Sequence, residues 1–170
     1  MQEEKQKDLH KKKKYDRLQT LNTKNKTYRR NKYMYEYVKG KSMYAKVSTP
    51  NTKFSPHKYE ISVLTDEDTA GKLEKIGLSQ VRTRDGQLKY DEPAFKFSRK
   101  VDRHDGTTNP APKLVDEDGN DLDINIGNGS EVTVKIKPYT GSYGTFAELI
   151  AVRVTNLVEY TEQDSDNEEF

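Results

Sequence analysis

The 170-residue chain is 31% hydrophobic and 34% charged, too lean in core residues for all of it to pack, so part is expected to be disordered. It has no cysteine, which excludes a disulfide framework or a thiolate metal site, and no apolar run near the roughly 18 residues of a membrane span, so a soluble, unsecreted protein with no membrane partner is expected. The net charge of +2 conceals opposed ends: residues 1–46 carry 15 Lys/Arg against 5 Asp/Glu, residues 47–158 carry 15 against 17, and residues 159–170 carry none against 6.

In chain order, the basic stretch 1–41 shows no sustained helical period beyond Leu9, Leu18 and Leu21 and reads as a largely disordered arm. Such an arm can wrap a polyanion, and YRRNKYMYEYVKGKSMY (28–44) is dense enough in Tyr and cations for its latter part to touch nucleic acid or dock on the folded domain. Residues 42–160 read as one β domain. Strands are predicted at SMYAKVS (42–48), HKYEISVL (57–64), AFKFSRKV (94–101), EVTVKIKPY (131–139) and FAELIAVRVTNLVEY (146–160), each alternating or rich in β-branched and aromatic residues. In the fourth, Val132, Val134 and Ile136 share the core face; in the fifth, Ile150, Val152 and Val154 are expected inward and Leu149, Ala151 and Arg153 outward. DEDTAGKLEKIG (66–77) predicts a short helix with acids at its start, Leu73 and Ile76 on one face and Gly77 beyond its end. Asp-Gly in DEDGND (116–121) and Asn-Gly at 128–129 predict tight turns. The fold class is therefore mainly β: a single OB-like five-stranded barrel with one short helix, followed by an acidic tail at 161–170.

Little in this chain suits catalysis. The histidines are His10, His57 and His104, and no Cys nucleophile, HExxH or GxSxG pattern occurs. GNGS (127–130) lacks the spacing and Lys of a phosphate loop, and DEDGNDLD has its Gly in the wrong place for a calcium loop. Asp116, Asp118, Asp121 and Asp123 keep a metal-dependent nuclease as a third reading, but they crowd one turn without a basic or His companion. No cofactor or metal is expected, and the protein is read as a non-enzyme.

Single-strand binding has more support, because it needs a cationic groove interleaved with aromatic platforms. The chain holds eleven Tyr and five Phe, many beside Lys or Arg on predicted strands. Candidate DNA contacts are Tyr44 and Lys46; Lys53, Phe54, Lys58 and Tyr59; Lys96, Phe97, Arg99, Lys100 and Arg103; Lys135, Lys137, Tyr139 and Tyr143; and Arg153. The competing reading places some rings in the core. Phe95 and Phe97 share a face with Val101, so one or both can be buried, and Tyr59 aligns with Ile61 and Val63, which favours burial. Tyr44 and Lys46 lie opposite Met43, Ala45 and Val47, which favours an exposed face, and Tyr139 and Tyr143 flank a Gly-rich turn from which they can reach a bound strand. Single-stranded DNA is the leading ligand, and an RNA-binding or nucleic-acid chaperone module is second.

GNGSEVTVKIKPY, a short Gly-containing loop, GTFAELIAVRVTNLVEY and an acidic tail carrying Phe170 together resemble the T7-type phage single-stranded DNA-binding proteins. The likeness covers roughly residues 42–170 and is sharpest over 127–170; it departs from the pattern in a shorter middle region and the long Lys-rich arm. The resemblance implies an OB fold and sequence-tolerant single-stranded DNA binding in phage replication and recombination, often with strand annealing, in the cytoplasm of the host bacterium. It further implies that Glu162, Asp164, Asp166, Glu168, Glu169 and Phe170 compete with DNA for the groove and contact replication proteins such as DNA polymerase and helicase-primase. Some relatives dimerise through the tail, so a homodimer stays open.

Overall fold

A computed structural model describes residues 34–162. The arm up to residue 33 and the tail from residue 163 lie outside the described residues, and with them the expectations for those segments.

The elements are β1 (Glu36–Asn51), β2 (Lys58–Leu64), α1 (Glu67–Lys75), β3 (Ala94–Lys100), β4 (Lys113–Val115), β5 (Glu131–Gly141) and β6 (Gly144–Asn156). Their sheet order is β3-β2-β1-β5-β6-β4, and a further β3–β6 pairing at Ser98 and Glu148 closes five strands into a barrel, with β4 added parallel to β6. The expected five-stranded barrel with one helix is therefore what forms. Its interior is filled from every wall: Val38, Ile61, Val63, Phe95, Phe97, Val134, Ile136, Leu149 and Val152 are essentially inaccessible to solvent.

The helix forms where its sequence predicts, but Ile76, expected on its apolar face with Leu73, is the C-cap residue and stays exposed. Asp66 caps it, with one carboxylate oxygen accepting from Thr69 N–H at 2.7 Å. At the other end Gly77 N–H donates to Glu74 O and Leu78 N–H to Leu73 O, the paired bonds of a Schellman stop, with φ +102° at Gly77. Ala70 and Leu73 are the face it buries in the core.

Three details differ from expectation. The first strand begins at Glu36, because its first half pairs with β5 and its second half with β2, so one long strand serves both sides of the barrel. Gly40 permits this: a Cβ there would lie 1.9 Å from Leu64 O. In β6, Leu149 faces inward and Ile150 is only half-buried, the reverse of the expected alternation. Ile136 pairs with Leu149 while Lys135 pairs with Ala151, so Ile150 is the extra residue of a bulge and the faces switch across it. Finally, β4 and two further hairpins occupy the stretches around β3. Thr83–Gln87, Arg103–Thr107 and Asp116–Asn120 close in the same way, with paired backbone bonds and a glycine at φ +81° to +87° in the fourth place. Each is a type I turn followed by a left-handed glycine, and each has Asp-Gly at its tip.

Candidate nucleic-acid interface

The outer surface of β2 and β3 follows from their alternation. Ile61, Val63, Phe95 and Phe97 point into the barrel, so Lys58, Glu60, Lys96 and Lys100 point out, with Lys58 opposite Lys100. Glu60 is 6% exposed, and its charge is compensated: Lys96 Nζ lies 3.2 Å from Oε2, and Asn51 Nδ2 donates to Oε1 at 2.9 Å.

Two clefts adjoin on this surface and share Lys58 and Lys96. The smaller, about 270 Å³, lies between the loop after β1, which carries Phe54, and Lys89 of the hairpin before β3. The larger, about 800 Å³, runs past Arg99, Lys100, Arg103 and His104 to the β5–β6 hairpin, which contributes Tyr139, Tyr143 and Phe146. Of the lining carboxylates, Glu60 is taken by Lys96, Glu148 lies 3.5 Å from Arg99 Nε across the barrel closure, and Asp102 stands in the larger cleft against Lys58, Lys96, Arg99, Lys100 and Arg103. Positive charge therefore predominates along both clefts. Tyr143 is 96% exposed and Phe54 65%, while Tyr139 and Phe146 form a tilted pair with centroids 5.8 Å apart. Rings left this open add little to packing and have faces on which a flat ligand can stack.

Backbone geometry aims two of these side chains. Arg103 Nε donates to Asn109 Oδ1 at 2.6 Å, across a turn in which Asp105 accepts from Thr107 N–H. The Thr107 hydrogen bonds hold the Asp105 carboxyl below the usual range, so the turn stays ionised and shaped. Tyr44 has φ +50°, a strained value for a non-glycine residue, at the irregularity in β1 between Met43 and Lys46. Its N–H donates to Asn128 Oδ1 at 2.7 Å, and its ring lies 5.4 Å from Lys89 Nζ. The bulge carries Tyr44 beside the smaller cleft.

Of the sequence-predicted residues, Phe54, Lys58, Lys96, Arg99, Lys100, Arg103, Tyr139 and Tyr143 line these clefts, and Tyr44 reaches them through Lys89. Lys53 sits over Phe54 at 5.9 Å, and Lys46 over Tyr160 at 5.5 Å. Phe97 is corrected: at 1% exposure it belongs to the core, as does Phe95, because β3 turns both rings inward. Tyr59 is half-buried and packs on the core. Arg153 faces elsewhere, into a cleft of about 1080 Å³ where Lys39, Lys41 and Arg153 meet Asp66, Glu67, Asp91, Glu92, Glu117 and Glu131. Lys135 and Lys137 stand on the outer face of β5, where Lys135 Nζ lies 4.2 Å from the Tyr35 ring and 6.0 Å from that of Tyr37. Glu162 is exposed; Asp164, Asp166, Glu168, Glu169 and Phe170 lie outside the described residues.

Lys89, His104 and Phe146 were missed by sequence reasoning. The Asp-Gly signals at 85–86 and 105–106, identical to the one recognised at 118–119, mark the hairpins that bring in the first two. Phe146 lies on a predicted strand, and its ring is exposed near the tip of the β5–β6 hairpin, past the last β1–β5 pair at Ile136.

The acidic turn at 116–121 has a structural use. Asp116 Oδ1 accepts from the N–H groups of Asp118 and Asn120, both at 2.9 Å, which lowers its carboxyl below the usual value. Among the described residues no group of three or more His, Asp or Glu is placed to hold a metal ion.

No protein-family model and no curated protein matches the chain. Solved structures do. It is 17% identical to gp2.5, a single-stranded DNA-binding protein encoded by bacteriophage T7, with a TM-score of 0.53 over 80% of this chain and 94% of that one. A single-stranded DNA-binding protein from bacteriophage Enc34 matches at 17% identity and a TM-score of 0.51, over 81% of this chain and 89% of that one. Its C-terminal truncation matches at 17% and 0.52, over 75% and 88%. The barrel of this chain thus has the fold of phage single-stranded DNA-binding proteins, the group its sequence resembles.

Proposed function

We propose that the chain binds single-stranded DNA without regard to sequence, and does so as a non-enzyme. The observation that carries this reading is the continuous surface of two clefts sharing Lys58 and Lys96, lined by cations and open rings. It occupies the β2–β3 side of the barrel, the loop after β1 and the β5–β6 hairpin, which is where OB folds hold oligonucleotides. Cations neutralise phosphates, and Phe54, Tyr139, Tyr143 and Phe146 offer faces to bases of any identity. The shared fold with phage proteins named for single-stranded DNA binding supports DNA as the strand and phage replication and recombination, in the cytoplasm of a host bacterium, as the setting.

The acidic segment 161–170 is a competitor for the same surface. A tethered polyanion reaches an effective concentration of order millimolar, enough to occupy a basic cleft until DNA displaces it. Once displaced, Phe170 is an anchor for replication proteins such as DNA polymerase or helicase-primase, with the neighbouring acids steering the encounter; self-association through the tail is the homodimer version of this contact.

Titration with single-stranded DNA, duplex DNA and RNA of equal length at two salt concentrations tests the reading. Single-stranded DNA should bind tightest, with affinity falling steeply as salt rises. Preference for duplex or RNA, or magnesium-dependent cutting, would overturn it. Deleting 161–170 should tighten DNA binding at low salt and abolish partner capture, and unchanged affinity would count against competition by the tail.

A further inference from the structure

We infer that the strand does not stop at the β5–β6 hairpin, and that its path continues along the outer face of β5 to a second stacking platform made by Tyr35 and Tyr37 around Lys135. This rests on the reading of the front clefts as a single-strand site. β5 alternates cleanly: Val132, Val134 and Ile136 are buried, so Lys135, Lys137 and Tyr139 stand in one line on the outside. Tyr139 already lines the larger cleft. From it to Lys135 is about 13 Å along the strand, at roughly 3.3 Å per residue.

At the far end of that line, Tyr37 is the cross-strand partner of Lys135, and the Lys135 ammonium lies 4.2 Å from one tyrosine ring and 6.0 Å from the other. Tyr37 is 63% exposed and Tyr35 42%. Two open rings about one ammonium repeat, on a different face, the composition of the front clefts. Along this line the cross-strand neighbour of Lys137 is Glu148, which Arg99 engages from the barrel closure. Lys39 adjoins Tyr37 on the same face of β1, and Ala151 is the neutral β6 neighbour of Lys135. Thr133 is flanked across the strands by Lys39 and Arg153, and beyond it the character reverses, since Glu131 joins Asp66, Glu67, Asp91, Glu92 and Glu117 in the acidic cleft. A polyanion following β5 therefore meets net negative charge past Thr133, so the tyrosine platform is the last stacking site on the path.

The full chain and its Tyr37→Ala, Lys135→Ala double variant, both folded by circular dichroism, are compared on labelled single-stranded DNA of about 8 and about 16 nucleotides, lengths within the range one OB fold covers. The variant should bind the short strand like the parent and the long strand about tenfold more weakly, with a salt slope for the long strand shallower by roughly 0.7 for one lost phosphate contact. Equal weakening on both lengths, or no change on the long one, overturns the continued path. If the parent takes a second short strand that the variant does not, while the long strand is unaffected, the platform holds a separate strand and the continued path is again overturned. Failure of the parent on both lengths overturns the front site itself, an outcome the variant comparison cannot mimic.

Discussion

The barrel carries clefts of opposite character on two of its sides. One, between the first half of β1, the start of β5, the end of β6 and the start of α1, is the more spacious, and its six carboxylates outnumber its three cations. The other pair, across β2 and β3, is lined by Lys58, Lys89, Lys96, Arg99, Lys100 and Arg103 with open rings at both ends. Volume would select the first. For a polyanionic ligand, charge and stacking select the second, because screened repulsion by a cluster of carboxylates cannot be offset by room alone. β1, β2, β5 and β6 contribute to both sides and β3 only to the basic one, so the difference lies in which face of the barrel each cation reaches.

Charge reversal should break this contrast most strongly. Lys100→Glu with Arg103→Glu is expected to weaken single-stranded DNA binding by about 100-fold or more at low salt and to flatten the salt dependence, whereas Arg153→Glu in the acidic cleft should leave affinity unchanged. Anisotropy titrations over a salt series measure both, and a comparable loss for Arg153→Glu would erase the distinction between the clefts. Removing a ring comes next. Tyr143→Ala should cost about 1–3 kcal/mol of binding, the usual worth of a base stacked on an aromatic side chain, with no change in thermal midpoint since the ring is solvent-exposed. Phe97→Ala sharpens the point from the opposite side: it should destabilise the fold by about 3–5 kcal/mol in denaturant melts, with any binding deficit explained by unfolding.

A smaller effect is expected from Asn128→Ala. It removes the side-chain acceptor that holds the Tyr44 N–H at φ +50°, so the ring should lose its place beside Lys89 and DNA affinity should fall by a few-fold. A drop in stability without any change in affinity would reduce Tyr44 to a structural bulge. The smallest effect is acid sensitivity. Asp66, Asp105 and Asp116 have carboxyls depressed mainly by hydrogen bonds from Thr69, Thr107 and Asn120. A folded value below the unfolded one of about 3.9 contributes stability that is present above that pH and lost as the pH falls through the folded value. Melting midpoints should therefore hold from neutral pH to about 5 and decline below about 4, and Asp116→Asn should remove a small part of that decline.

Much of this architecture was legible in the chain. Period-two runs such as EVTVKIKPY and the capped segment DEDTAGKLEKIG state their structure locally, since side-chain alternation and cap chemistry need only near neighbours. Of the site, the interleaving of rings with cations was visible, and Phe54, Lys58, Lys96, Lys100, Arg103, Tyr139 and Tyr143 do converge. Phe97 and Arg153 show why the rest was not. Alternation says that Phe97 opposes Lys96, but not which of the two faces the core. Arg153 alternates properly and still opens onto the wrong cleft, because a strand in a closed barrel has its own outward direction.

The amino-acid sequence by itself determined the cores of the five barrel strands, the helix with both its stops and the Asp-Gly turn at 118–119, consequences of interactions within a few residues, and its composition set the opposition of basic and acidic ends. Only the tertiary structure decided which cations share a groove and which rings stay in water. Those outcomes depend on barrel closure through Ser98 and Glu148, on the bulges at Tyr44 and Ile150 that reverse a face, and on hairpins that carry Lys89 and His104 in from distant sequence.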